Sequence, residues 1–61
     1  MTTEERILNL FEAEQYVKPL DIPRKLNMAH TPALAAVKRL LHQDKIERVY
    51  HMGKICYQLV K

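Results

Sequence analysis

The sequence lacks several residues on which common enzyme sites depend. Serine is absent, which excludes a serine nucleophile, and the single glycine, Gly53, leaves no glycine-rich loop for a phosphate-bearing cofactor. The single cysteine, Cys56, excludes an internal disulfide and is typical of a reducing compartment. The three histidines do not follow the spacing of a zinc site: His30, His42 and His51. We therefore expect no enzyme activity, no bound metal and no cofactor.

Long apolar runs are also missing. No segment approaches the roughly 20 apolar residues that a membrane-spanning helix needs. The first residues are acidic where a secretory signal would be basic. The 61 residues are 48% hydrophobic and 28% charged, a balance typical of a small folded domain rather than a disordered chain. We expect one soluble domain over residues 1–61, located inside the cell in the cytoplasm or nucleus, with no membrane partner.

Basic residues are scarce at the start of the chain, and acidic residues are scarce in the rest of it. Residues 1–16 contain one basic and four acidic residues, a net charge of −3, whereas residues 17–61 contain nine basic and three acidic residues, a net charge of +6. A surface that binds phosphates needs such a concentration of positive charge. The simpler alternative is a solvated basic surface without a partner.

The N-terminal part of the sequence predicts two helices. Thr2 and Glu5 have the spacing of a capping box, which indicates that a first helix begins there. Pro23 is tolerated in the first turn of a helix, so a second, short helix is expected to begin between residues 20 and 22. Asn27 can end that helix because asparagine tolerates a left-handed conformation.

A third, longer helix follows at once. Thr31 is the expected cap and Pro32 the first helical residue, and the helix should extend to about Gln43. A step of 100° per residue separates an apolar inner face from an outer face. Leu34 lies at the border, and the outer residues are Ala35, Lys38, Arg39 and His42.

The C-terminal residues predict a β-hairpin. Residues 46–51 and 55–60 are rich in β-branched and aromatic side chains, and Met52-Gly53 suits the tight turn between them. Asp44 stands where a left-handed turn residue is needed after the third helix. A short additional strand is an option over residues 17–20. Three helices followed by a hairpin predict the α+β class and a winged helix-turn-helix domain, whose third helix lies against nucleic acid.

Candidate contact residues lie on the third helix and on the hairpin, or wing. Lys38 faces outward and can reach a phosphate or a guanine edge, and Arg39 is expected to turn toward the second helix. His30 and Thr31 can hold a phosphate at the helix start, although capping alone would explain Thr31. Lys54 should project from the wing.

Three further residues have two interpretations each. Tyr57 alternates with core-facing positions, so its ring either belongs to the core or faces a base or sugar, with Tyr50 as its expected cross-strand neighbour. Leu34 and Ala35 are either part of the helix surface at the edge of the core or a patch for protein contact.

The residues also resemble those of a known family, the Zα domains of double-stranded-RNA adenosine deaminases and poxvirus interferon-resistance proteins, which bind left-handed nucleic acid. The resemblance spans nearly the whole chain and rests on these positions: Glu5-Arg-Ile-Leu, Phe11-Glu, Leu26-Asn-Met28, Ala33, Val37, Leu40 and Ile46. It implies the winged helix fold. The family's contact residues are altered, because its helix asparagine is replaced by Leu34, its stacking tyrosine by Lys38, its wing proline pair by Lys54-Ile55 and its tryptophan by Tyr57.

The sequence as a whole predicts a nucleic-acid-binding domain with a role such as transcription regulation. Double-stranded DNA is the expected partner, double-stranded RNA is an alternative, and the handedness of the target is left open. The alternative from another class is a protein-interaction module or homodimer that does not bind nucleic acid.

Overall fold

The computed structural model describes residues 2–60 and has three helices followed by an antiparallel hairpin. This confirms the predicted α+β order. The ends of the predicted domain, residues 1 and 61, lie outside the described residues. The elements are α1 (Thr3–Ala13), α2 (Asp21–Leu26), α3 (His30–His42), β1 (Ile46–His51) and β2 (Lys54–Leu59).

The first helix has the predicted start, and the second has the predicted start and end. The Thr2 hydroxyl accepts a hydrogen bond from the backbone N–H of Glu5 at 3.2 Å, and the Glu5 carboxylate accepts one from the backbone N–H of Thr2 at 3.3 Å. The bond from the Thr2 backbone N–H, and a second one that the Thr2 hydroxyl donates to the same carboxylate at 3.1 Å, favour the ionised form, so the pKa of Glu5 is lowered. Asn27 ends α2 in the left-handed region, with φ of 53°. Arg6 donates to the carbonyl of Leu26 at 2.7 Å, which joins α1 to the end of α2.

The predicted start of α3 is wrong by two residues. Ala29 precedes the helix and makes no side-chain cap, His30 is its first residue, and Thr31 and Pro32 are its second and third. The first four N–H groups of a helix have no partner within it, so a proline is tolerated at any early position of the first turn. Pro32 therefore indicated the first turn but did not specify its first residue.

Among residues 2–60, three non-glycine residues have the left-handed backbone conformation, including Asp44 with φ of 57°, as predicted for the turn after α3. Met52 and Gly53 connect the strands with φ of 53° and 77°, so both central residues of the turn have positive φ, as a type I′ turn requires. This two-residue turn pairs His51 with Lys54, and β2 therefore begins one residue before the predicted position.

Only part of the optional strand over residues 17–20 forms. Val17 exchanges two backbone hydrogen bonds with Tyr57, of 3.0 and 2.9 Å, in an isolated antiparallel bridge. Pro19 has no N–H to donate, so the ladder does not continue toward α2. This bridge ties the segment after α1 to the outer edge of β2.

The core lies between the three helices and the base of the hairpin. The α1 and α3 positions with helical spacing face it as predicted, and small alanines on α3 allow close helix packing. Its buried members are Ile7, Phe11, Val17, Ile22, Leu26, Ala33, Ala36, Val37, Leu40, Ile46 and Tyr57.

Met52→Asn is expected to stabilise the protein by about 0.5–1 kcal/mol, because asparagine tolerates positive φ better than methionine does. Thermal unfolding followed by circular dichroism would measure the change. Gly53→Ala is a control with the opposite expected effect, a loss of stability. It adds a side chain at φ of 77° with no neighbouring atom within 4 Å, so its cost is conformational. A lower unfolding temperature for Met52→Asn would contradict the expected relief of strain.

Candidate nucleic-acid interface

The outer face of α3 is defined here by Thr31, Ala35, Lys38 and His42, which recur every three or four residues and are all exposed. Ala35 is small and leaves the helix backbone accessible to a large partner. Lys38 takes part in neither of the two ion pairs among the described residues. The outer face therefore presents an uncompensated positive charge beside a region without bulky side chains.

Arg39 lies elsewhere, which corrects its predicted direction. Its guanidinium binds Glu4 of α1, with Nε–Oε1 at 2.6 Å and a second nitrogen at 2.5 Å from the same oxygen. This hydrogen bond holds the pKa of Glu4 below its usual range. Arg39 therefore faces α1 rather than the predicted α2. Its charge is partly compensated, which makes it a weaker phosphate ligand than Lys38.

Tyr57 belongs to the core, so the structure decides between the two interpretations of this residue. It is 6% exposed, and its backbone is bonded to Val17. Its side chain forms part of a small apolar cleft of about 20 Å³, together with His30 and Leu34 of α3. The half-buried Leu34 is an edge residue of this cleft, and His30 at the helix start is exposed.

A wider groove adjoins the cleft, because Pro19 lines both. It has a volume of about 410 Å³ and lies between the start of α2 and the wing. We call it the basic groove, and its lining comprises Lys18, Pro19, Leu20, Asp21, Arg24, Lys54 and Ile55. Three cations and one acid give it a positive charge. The sequence prediction included Lys54 but missed Lys18 and Arg24, because they are far from Lys54 in the chain.

Tyr50 is a third residue that the site prediction missed. Its ring is 78% exposed, and it lies opposite Ile55 rather than opposite Tyr57, whose partner is Arg48. The predicted Tyr50–Tyr57 pairing is therefore wrong. A two-residue turn at Met52-Gly53 sets the register, and counting outward from it would have paired residues 50 and 55.

Acidic residues line a groove at the other end of β2. This second groove, of about 330 Å³, lies between the end of α1 and β2 and includes Glu12 and Glu14. Glu14 forms an ion pair with Lys25, and Glu47 accepts a hydrogen bond from Gln58 at 2.5 Å. The acidic groove thus lies at the end of β2, with Gln58 and Leu59, and the basic groove at its start, with Lys54 and Ile55.

Within residues 2–60, no group of three His, Cys, Asp or Glu side chains is placed to hold a metal ion. None of the helices in the same range has the length and apolar character needed to cross a membrane. No protein-family model, curated protein or solved structure matches this chain.

Proposed function

We propose that this chain is a nucleic-acid-binding domain of the winged helix type, that it is not an enzyme, and that it acts inside the cell on double-stranded DNA. The observation that carries the proposal is the unpaired Lys38 on the outer face of α3, on the same helix that borders the cleft leading to the basic groove. Double-stranded RNA presents the same phosphate charge and is the alternative ligand.

The proposed contacts lie on the outer face of α3, at the start of α3 and along the basic groove. The outer face of α3 lies along the duplex, where Ala35 permits close approach and Lys38 reaches a phosphate or a base edge. At the start of the helix, His30 and Thr31 lie among N–H groups that have no partner in the helix and favour an anion. Lys54, with Lys18 and Arg24 across the basic groove, neutralises phosphates farther along the strand.

Binding in this arrangement depends mainly on the phosphate backbone. The burial of Tyr57 removes its ring as a stacking surface, and Lys38 has no π face to offer a base. In the Zα pattern the positions of Lys38 and Tyr57 hold the aromatic residues that contact nucleic acid. The handedness of the bound DNA stays open, and phosphate spacing rather than base stacking would have to distinguish the two forms.

The double variant Lys38→Ala/Lys54→Ala is expected to weaken binding to a short CG-repeat duplex about 10- to 100-fold at low salt. Each lost phosphate contact should also reduce the slope of log affinity against log salt by about 0.9, so the slope should fall by about 2. Fluorescence anisotropy with a labelled duplex across a salt series would measure both quantities. The CG repeat also allows the handedness of the bound DNA to be followed by circular dichroism.

Lys25→Ala is the matched control, because it removes the same charge from a lysine that is already paired with Glu14. It should leave the salt slope nearly unchanged. Backbone amide shifts of labelled protein on titration should concentrate on residues 30–42 and 54–57. Unchanged affinity in the double variant, or an equal loss in Lys25→Ala, would overturn the assignment of this face.

A further inference from the structure

The end of the wing exposes an unusual amount of apolar surface. Tyr50 is 78% exposed, Met52 88% and Ile55 40%, and we call these three residues the wing tip. Tyr50 and Ile55 are cross-strand partners, so their side chains lie on the same side of the hairpin. A contiguous exposed apolar patch beside charged residues marks an interaction site.

The three tyrosines have different surroundings, and this difference singles out Tyr50. Tyr57 is in the core, and the ring of Tyr16 stacks on His51 with centroids 4.0 Å apart and planes 14° from parallel. Tyr50 has neither kind of contact. Because side chains alternate along a strand, Tyr50 lies on the same side of β1 as the buried Ile46, beyond the part that the helices cover.

The groups around Tyr50 are mostly cationic. Ile55, its cross-strand partner, lines the basic groove with Lys18, Arg24 and Lys54. Arg48 lies two residues before Tyr50 on the same side of β1, and none of these four cations takes part in an ion pair of the described residues. Asp21 is the acid that lines the groove. An exposed aromatic ring beside a positively charged groove is the arrangement by which proteins bind single-stranded nucleic acid.

We propose that Tyr50 is a stacking surface for an unpaired base, and that the partner of this domain is a duplex that continues into a single strand. In the interior of a duplex both faces of each base are covered by its neighbours, so an exposed ring on a wing there stacks on a base that has left the helix. The aliphatic side chains of the wing tip then cover the edge of that base, and the basic groove holds the phosphates of the single strand. The duplex part of this partner rests on the proposed function of α3.

The test compares three DNA probes: a blunt CG-repeat duplex, the same duplex with a four-thymidine overhang, and the single-stranded overhang sequence alone. One stacked base should make the overhang duplex bind roughly 5- to 100-fold more tightly than the blunt duplex. Tyr50→Leu should remove most of this difference, namely the part due to stacking, while leaving affinity for the blunt duplex unchanged. Tyr50→Phe keeps the ring and is the matched control, so it should retain the difference.

Other outcomes separate the two proposals. Equal affinity of the wild-type protein for blunt and overhang duplexes would overturn the stacking role and leave duplex binding by α3 standing. Equal losses on both probes in Tyr50→Leu would also overturn it. The protein could also bind the single strand in a manner that depends on Tyr50 and not bind the blunt duplex. That result would support the stacking surface and contradict the proposed role of α3. Self-association of the free protein that Tyr50→Leu abolishes, with no effect on DNA, would show that the wing tip is a dimer contact.

Discussion

Tyr57→Ala is expected to unfold most of the protein at 25 °C, whereas Tyr57→Phe remains folded. Removing a buried aromatic ring costs about 3–5 kcal/mol, and a domain of this size has about that much stability in total. Tyr57 is 6% exposed, and its backbone bonds to Val17 place it at the junction of helices and hairpin. Loss of its side chain therefore disturbs the core at that junction. Phenylalanine retains the ring and removes one hydroxyl, a change of about 1 kcal/mol.

Urea unfolding followed by far-ultraviolet circular dichroism would measure both stabilities. The same two variants test the assignment of Tyr57 to the core rather than to the interface. Tyr57→Phe should keep nearly full affinity for a duplex, since the phenyl ring fills the same space. A folded Tyr57→Ala protein with normal stability and lost binding would show instead that the ring is a contact residue.

Ala36→Leu is expected to destabilise the protein strongly, while Ala35→Leu leaves the fold intact. Ala36 is fully buried on the inner face of α3, where three additional carbon atoms have no room, and such overpacking costs about 1–3 kcal/mol or more. Ala35 is exposed on the outer face, and alanine and leucine have similar helix propensities. The two substitutions are chemically identical and lie one residue apart, so they distinguish the two faces of one helix.

Ala35→Leu should also weaken duplex binding about tenfold, the equivalent of about 1.4 kcal/mol, because its side chain holds the helix away from the phosphates. Thermal unfolding and anisotropy with the CG-repeat duplex would measure the two effects. Normal affinity in Ala35→Leu would show that the outer face of α3 does not approach the duplex closely. Tighter self-association in the same variant would favour the protein-contact interpretation of Leu34 and Ala35.

The elements of this fold were largely predictable, because each depends on local chemistry. The Thr2–Glu5 capping box, the left-handed Asn27 and the positive φ at Gly53 are backbone requirements that a few neighbouring residues satisfy. Helical spacing likewise predicted the inner and outer faces of α3. The start of α3 was less well determined, since Pro32 is compatible with more than one early position of a first turn.

The candidate site was less predictable, because it depends on contacts between segments that are distant in the sequence. Arg39 follows Lys38 directly, yet only the packing of α1 against α3 brings Glu4 within 2.6 Å of it and compensates its charge. Lys18 and Arg24 joined Lys54 in one groove only because the bridge at Val17 places the start of α2 beside the wing. The sequence by itself determined the three helices, the hairpin and the excess of positive charge in residues 17–61. Tertiary structure alone decided which cations remain unpaired, that Tyr57 is buried and that Tyr50 is exposed, because these properties arise from contacts between segments distant in the chain.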